Sequence, residues 1–456
     1  MKKVLDWLTE NDSQLIGDLA KLVAVPSIST DGEHQQEIEK VAELTCELMR
    51  SAGLNNVGVL RAGDSNPYSY GEWLGAPGKP TIFLYAHHDV QPVNFIEDWK
   101  SEPWTLTERE GRFFGRGAAD DKGAIVVQLG AIAAWLKTTG SLPVNIKMLV
   151  EGEEGVGSRN LDAFFKENKD RLMSDVIVVC DTENVETGYP CLTYSLRGIT
   201  AFEITLHGRS RDLHSGGFGG AVENPAMALA RLLATVRNDK GRITIPGFYD
   251  GVKPLTRLER QQAALYPLKD AQLKKIVGAP QLFGEAGFTA TEQRSSRPTF
   301  EINGLTSGYQ GDGSKTIVPS WARAKITCRL VPNQDPEHVR KIVIAHLKKH
   351  CPPTVRMEIE AGHGADAYRV LPGSRPAQAA LRALEKAFHR KPILLREGGS
   401  IPIVNQFKKI LGVDSLLLGL GLPDDNAHSP NEKFDLDCFE KGQLMSAYLW
   451  QELSGG

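Results

Sequence analysis

Apolar residues recur at helical spacing twice near the start of the chain. Val4, Leu8, Leu15, Leu19 and Leu22 share one face of residues 3–24, and Ile38, Val41, Ala42, Thr45, Leu48 and Met49 share one face of residues 33–52. That spacing predicts two amphipathic helices, the second stopped at Gly53 as a C-cap would stop it. Residues 57–61 suit a strand, and the polar, Pro- and Gly-containing stretch 62–80 reads as a connection. The period then changes. Residues 81–85, 144–150, 175–180 and 415–418 are short continuous apolar blocks, the pattern of strands covered on both faces. With a helix expected over 124–137, they predict an α/β domain whose mixed, mostly parallel sheet is flanked by helices.

The texture differs between residues 199 and 369. Strand-like segments at 201–207 and 323–331, helices near 225–237 and over 336–350, and a Gly-rich loop at 211–220 predict a smaller α/β sandwich. A chain of 456 residues is too long for one ordinary core. The expectation is a larger domain from residues 1–198 and 370–456, with 199–369 inserted.

Each buried strand is followed by groups that bind cations. Residues 81–85 run into His87-His88-Asp89, residues 144–150 into Glu151, Glu153 and Glu154, residues 175–180 into Asp181, and residues 415–418 lead towards His428. Asp120 and Asp121 stand before the helix at 124–137, where paired acids suit either a metal corner or a helix N-terminus. A solvated loop would explain the acids at 151–154 as well. What single explanations do not share is the repetition at the carboxyl ends of strands, the edge where α/β sheets bind ligands.

Mixed imidazole and carboxylate donors favour Zn²⁺ or Mn²⁺ over Ca²⁺, and the absence of thiolates argues against structural zinc. A carboxylate bridging two such ions, with a free Glu nearby to move a proton, implies metal-assisted amide hydrolysis. No GxSxG elbow supports a covalent route, and residues 111–117 lack the Gly-Lys-Ser/Thr ending of a phosphate loop.

Bulk properties add exclusions. A net charge of −3 spread along the chain gives no footprint for nucleic acid or an acidic membrane. Six scattered cysteines without a CxxC pair, no signal-peptide pattern after Met1 and no apolar run of membrane-spanning length predict a cytoplasmic protein.

Ordered motifs now carry a family resemblance. HxDVQP at 87–92, GRGAADDKG at 115–123, EGxE at 151–154, LRG at 196–198 and DLHSG at 212–216 are followed by GSKT at 313–316, RLVP at 329–332, EGGSIP at 397–402 and HSPNE at 428–432. In this order they resemble the M20 metallopeptidases, in the branch of carnosinase-like cytosolic dipeptidases. The resemblance implies a homodimeric, two-metal hydrolase of dipeptides or N-acyl amino acids, with the inserted domain acting in dimerisation and as a lid. It places His87 and Asp181 on the first ion, Asp120 between the two and His428 on the second. It makes Asp89 the residue that orients His87, and Glu154 the general base. His214 would reach the partner's site and polarise the scissile carbonyl there, and Thr316, Arg329 and Ser400 would contact substrate.

One position departs from the pattern. Counting back from Gly157-Ser158, the family's pair of glutamates, base then metal ligand, falls on Glu154 and Gly155. Glycine offers no donor. Three outcomes are open: a neighbour such as Glu153 substitutes, the second site is weak, or hydrolysis has given way to peptide binding or to different amide chemistry such as amide formation or transfer.

Overall fold

A computed structural model describes residues 1–30 and 32–455, and the chain divides into two compact units. The larger comprises Met1–Tyr194, Val370–Leu395 and Gln406–Gly456; the smaller comprises Ser195–Arg369 and Arg396–Asn405.

In the larger unit four parallel strands form the centre of the sheet, in the order Asn145–Glu151, Thr81–His87, Val176–Glu183 and Ser415–Gly421. They are the four continuous apolar blocks, and nearly every position is buried, as a strand covered on both faces requires. Because they run the same way, their polar carboxyl ends collect on one edge. Antiparallel pairing appears only to either side, through Tyr68–Trp73 and Asn55–Leu60 on one flank and Leu192–Thr193 on the other.

Lys122–Thr139 is buried from Lys122 to Trp135, too apolar all round to be a surface helix. It packs into the same core as the terminal helix Leu436–Ser454, and the Trp135 indole N–H donates to Ala447 O at 3.2 Å. Its start demands glycine: a Cβ on Gly123 would lie 2.4 Å from Ala118 O, so only this residue lets the chain turn so tightly after Asp120-Asp121.

Two expectations for this unit need correction. Residues 3–24 form two helices, Lys2–Glu10 and Asp12–Val23, hinged at Asn11, whose side-chain amide donates to Trp7 O at 2.8 Å. The apolar stripe continues across the hinge, which is why its spacing did not disclose the break. The stretch 62–80 contains the strand Tyr68–Trp73, four of its six residues buried, which an alternation of only two tyrosines about Ser69 announces weakly.

The smaller unit is a four-stranded antiparallel sheet in the order Thr299–Ser307, Trp321–Leu330, Gly198–His207, Arg356–Ala365. Helices Pro225–Ala234 and Pro336–His350 supply Leu229, Leu232, Val339 and Val343 to its core, opposite Phe202, Ile204, Ala324 and Ile326. The expected strands are the central pair. The two edge strands have no signature in the sequence, because most of their residues are exposed and carry no apolar period. No described helix is long and apolar enough to cross a membrane.

Candidate metal centre

His87 is the last residue of its strand, in register with Glu151, and is buried. Its Nε2 lies 3.0 Å from Asp120 Oδ1 without hydrogen-bond geometry, and His428 Nε2 lies 2.8 Å from Asp120 Oδ2. A single carboxylate thus faces two imidazoles, one from each side. Asp181 comes in from the neighbouring parallel strand, so that one ligand atom each from His87, Asp120 and Asp181 falls within a 4.8 Å span. His428 sits on a loop with φ +64, flanked by Asn426 and Asn431 in the same left-handed region. Non-glycine residues hold that conformation at some cost, a mark of local structure shaped for a site.

The electrostatics point the same way. Burial raises Asp181 well above the ordinary carboxylate range, and Asp121 and Asp120 beside it raise it further. Burial also raises Glu154, with Asp89 and Asp120 adding to it and His87 and His428 opposing. Burial would raise Asp120 too, but the His428 and His87 imidazoles facing its two oxygens hold it below its usual range. Acids crowded out of water repel one another unless a cation joins them. This donor set, with the His87 ring nitrogen aimed among carboxylates, fits divalent metal ions.

The turn after Glu151 is held from Asp89. His87 Nδ1 lies 3.0 Å from the Asp89 backbone carbonyl and 3.5 Å from the nearer carboxylate oxygen. The Asp89 carboxylate instead accepts the backbone N–H of Glu154 at 3.2 Å and of Gly155 at 2.9 Å. Asp89 therefore ties the turn bearing Glu154 to the strand bearing His87, a broader post than orienting one ring.

Glu153 does not substitute for the missing ligand. Its Oε1 accepts from Tyr68 O–H at 2.6 Å and from Asn160 N–H at 3.0 Å, and its Oε2 from the Asn160 side chain at 3.1 Å. Both of its oxygens are engaged by these donors. Glu151 is likewise held by Tyr85 and Ser158, each at 2.6 Å. Glu154 alone of the three faces His87, Asp120 and His428. At Gly155 a Cβ would meet Ser29 Oγ at 2.9 Å, the Gln91 side-chain nitrogen at 3.0 Å and Asp89 Oδ2 at 3.2 Å.

A residue quoted in the motifs but given no role supports the whole arrangement. Glu432, fully buried, pairs with Arg116 at 2.6 Å and accepts the backbone N–H of Gly117 at 3.0 Å and of Ala119 and Asp120 at 3.1 Å each. It pins the loop of Asp120 to the loop of His428. An acid four residues from His428 was visible in the sequence; its three amide donors were not.

The remaining expected site residues lie in the smaller unit, where they form two pairs. Exposed His214 opposes Ile317 in a short ribbon, the Thr316 carbonyl accepts from Ser215 N–H at 2.9 Å, and His214 Nδ1 accepts from Gly216 N–H at 3.0 Å. Arg329 donates to Ser400 Oγ at 3.0 Å, and Ser400 in turn donates to the Arg197 carbonyl.

Comparison with known proteins places this geometry among peptidases. Residues 83–452 match the model for peptidase family M20/M25/M40. The Cys-Gly metallodipeptidase dug1 of Schizosaccharomyces pombe is 32% identical over 466 residues, covering 98% of each chain. The mouse Beta-Ala-His dipeptidase is 30% identical and covers 100% of this chain and 96% of its own. Among solved structures, the M20 family metallo-carboxypeptidase Sso-CP2 from Sulfolobus solfataricus is 31% identical, with a TM-score of 0.84 over 97% of this chain and 99% of its own.

Proposed function

The chain belongs to peptidase family M20/M25/M40, and on that footing we propose that it is a metal-dependent hydrolase of dipeptides or N-acyl amino acids, working as a cytoplasmic homodimer. The observation that carries the reading is Asp120, whose two oxygens face His87 and His428 while Asp181 closes one side. His87, Asp120 and Asp181 would hold one divalent ion, and Asp120 with His428 a second, zinc or manganese in each case. Bound there, such ions would supply a Lewis acid for the scissile carbonyl and acidify water at neutral pH.

The chain's own groups do the rest. Glu154 takes a proton from the attacking water and passes it to the departing amine, a task suited to a carboxyl raised by burial. Asp89 fixes the turn that aims it. Arg329, with a forked guanidinium already oriented by Ser400, would receive the substrate's terminal carboxylate. His214, on one strand of a short ribbon, and Thr316, just before the strand that pairs with it, would complete the partner's site in a dimer. The lid and dimerisation role of the smaller unit is part of the same proposal. Free cysteines throughout suit a reducing compartment.

The test is hydrolysis of a panel of dipeptides by purified protein supplied with Mn²⁺ or Zn²⁺. Turnover that a chelator abolishes and metal restores is expected. No turnover on any member, with metal bound, would overturn the reading.

A further inference from the structure

The smaller unit contains a cavity of about 340 Å³ between the helix Ala290–Ser296, the start of the strand Thr299–Ser307 and the loops around Arg237–Gly241 and Leu282–Glu285. Four arginines line it. Arg297 is committed: it makes two hydrogen bonds to Glu285, at 2.8 and 3.0 Å, a carboxylate it shares with Arg242 at 2.7 Å. The other three, Arg197, Arg237 and Arg294, have no carboxylate within ion-pair distance among the described residues. Arg237 and Arg294 lie over the rings of Phe283 and Tyr266, 4.9 and 5.8 Å from their centroids, contacts that leave the guanidinium forks without an anion.

Arg197 is the telling member. It is only 9% exposed, and its side chain meets two backbone carbonyls, Gly398 O at 2.9 Å and Arg297 O at 3.3 Å. Burial lowers its pKa to about 10, and Arg329 and Arg294 nearby push the same way. A buried guanidinium beside other cations is costly unless an anion joins it. Glu301 is the one uncommitted acid lining the cavity. Ile243, Leu273, Leu282 and Phe300 make much of the remaining wall apolar, so the occupant needs carbon as well as charge.

We propose that this cavity is a binding site for a small organic dianion, a dicarboxylate or a phosphate monoester, held by Arg197, Arg237 and Arg294. The assignment does not depend on the hydrolase reading. The carbonyl of Arg197 accepts from Ser400, the hydroxyl that also receives Arg329, so Ser400 joins a wall of the cavity to the group proposed to read the substrate's carboxylate.

Isothermal titration of the full-length, metal-supplied protein with glutarate, and separately with glycerol phosphate, tests it. Arg237 and Arg294 are exposed, so Arg237→Ala/Arg294→Ala should fold as the parent does, and circular dichroism checks this. Binding of at least one of the two probes is expected, weakened tenfold or more in the double variant and unchanged in Arg329→Ala. Binding that survives the double variant and disappears in Arg329→Ala would place the anion at the Arg329 position instead and overturn the proposal. So would no binding of either probe.

Discussion

Burial raises both Glu432 and Asp181 in the larger unit, but the fold compensates these two acids differently. Glu432 is surrounded by what a carboxylate needs: one guanidinium and three amide N–H groups. Asp181, by contrast, is desolvated beside Asp120 and Asp121, and its charged form is disfavoured on every count except the proximity of His87. The first group is complete as folded and serves as structure. The second is complete only with an added cation, and that is how a binding site can be told from a structural knot when both are rich in acids. The arginine cavity of the smaller unit repeats the imbalance with the sign reversed.

Removing the shared ligand is the harshest way to break the contrast. Asp120→Asn is expected to lower kcat/KM by about 100-fold or more, because losing even an outer partner of a metal ligand costs about 10–100-fold. Metal content per chain, measured after dialysis, should fall with it, while the circular dichroism spectrum stays unchanged.

Glu432→Ala should act first on the fold. It strands Arg116 in the interior and frees three N–H groups, for a loss of about 3–5 kcal/mol measured by urea denaturation. If stability held while activity fell, Glu432 would belong with the site and not with the scaffold.

Metal itself should separate the two groups next. At a free concentration of 100 times its dissociation constant, an ion bound only by the folded chain adds about 2.7 kcal/mol, so a chelator should lower the thermal midpoint of the parent. In Asp120→Asn the same chelator should change little.

Gly155→Glu sharpens the comparison by adding an acid to the unbalanced side. The Cβ must displace Ser29 and Gln91, both movable side-chain ends, and the backbone there is not in the left-handed region. Tighter binding of a second ion, by roughly tenfold or more as the effect of metal-site partners suggests, is expected in titrations with Mn²⁺, together with a gain in dipeptide turnover. The smallest effect belongs to Tyr68→Phe. It removes one hydrogen bond to Glu153, for about 1–2 kcal/mol of stability, and should leave metal affinity unchanged because Glu153 is not a ligand.

The central parallel strands, the paired strands at the heart of the smaller unit and the chemistry waiting at the strand ends are all legible in the order of residues. Strands buried on both faces must be continuously apolar, so residues 81–85, 144–150, 175–180 and 415–418 announce themselves, and a sudden His or Asp after such a run has few other reasons to be there. Edge strands and hinges have no such obligation. Thr299–Ser307 and Arg356–Ala365 are mostly exposed, and Asn11 interrupts a helix without disturbing its apolar stripe.

Which acids face the cluster depends on how the chain folds. Glu151, Glu153 and Glu154 look alike in the sequence, yet Tyr85 and Ser158 take the first, Tyr68 and Asn160 take the second, and only Glu154 is left towards His87 and His428. The fold also decided that Glu432, 312 positions from Asp120, would hold that residue's loop. Spacing along a chain records which groups can bind a cation; the donors that engage each carboxylate come from strands and loops far away, and they determine which of those groups remain free to do so.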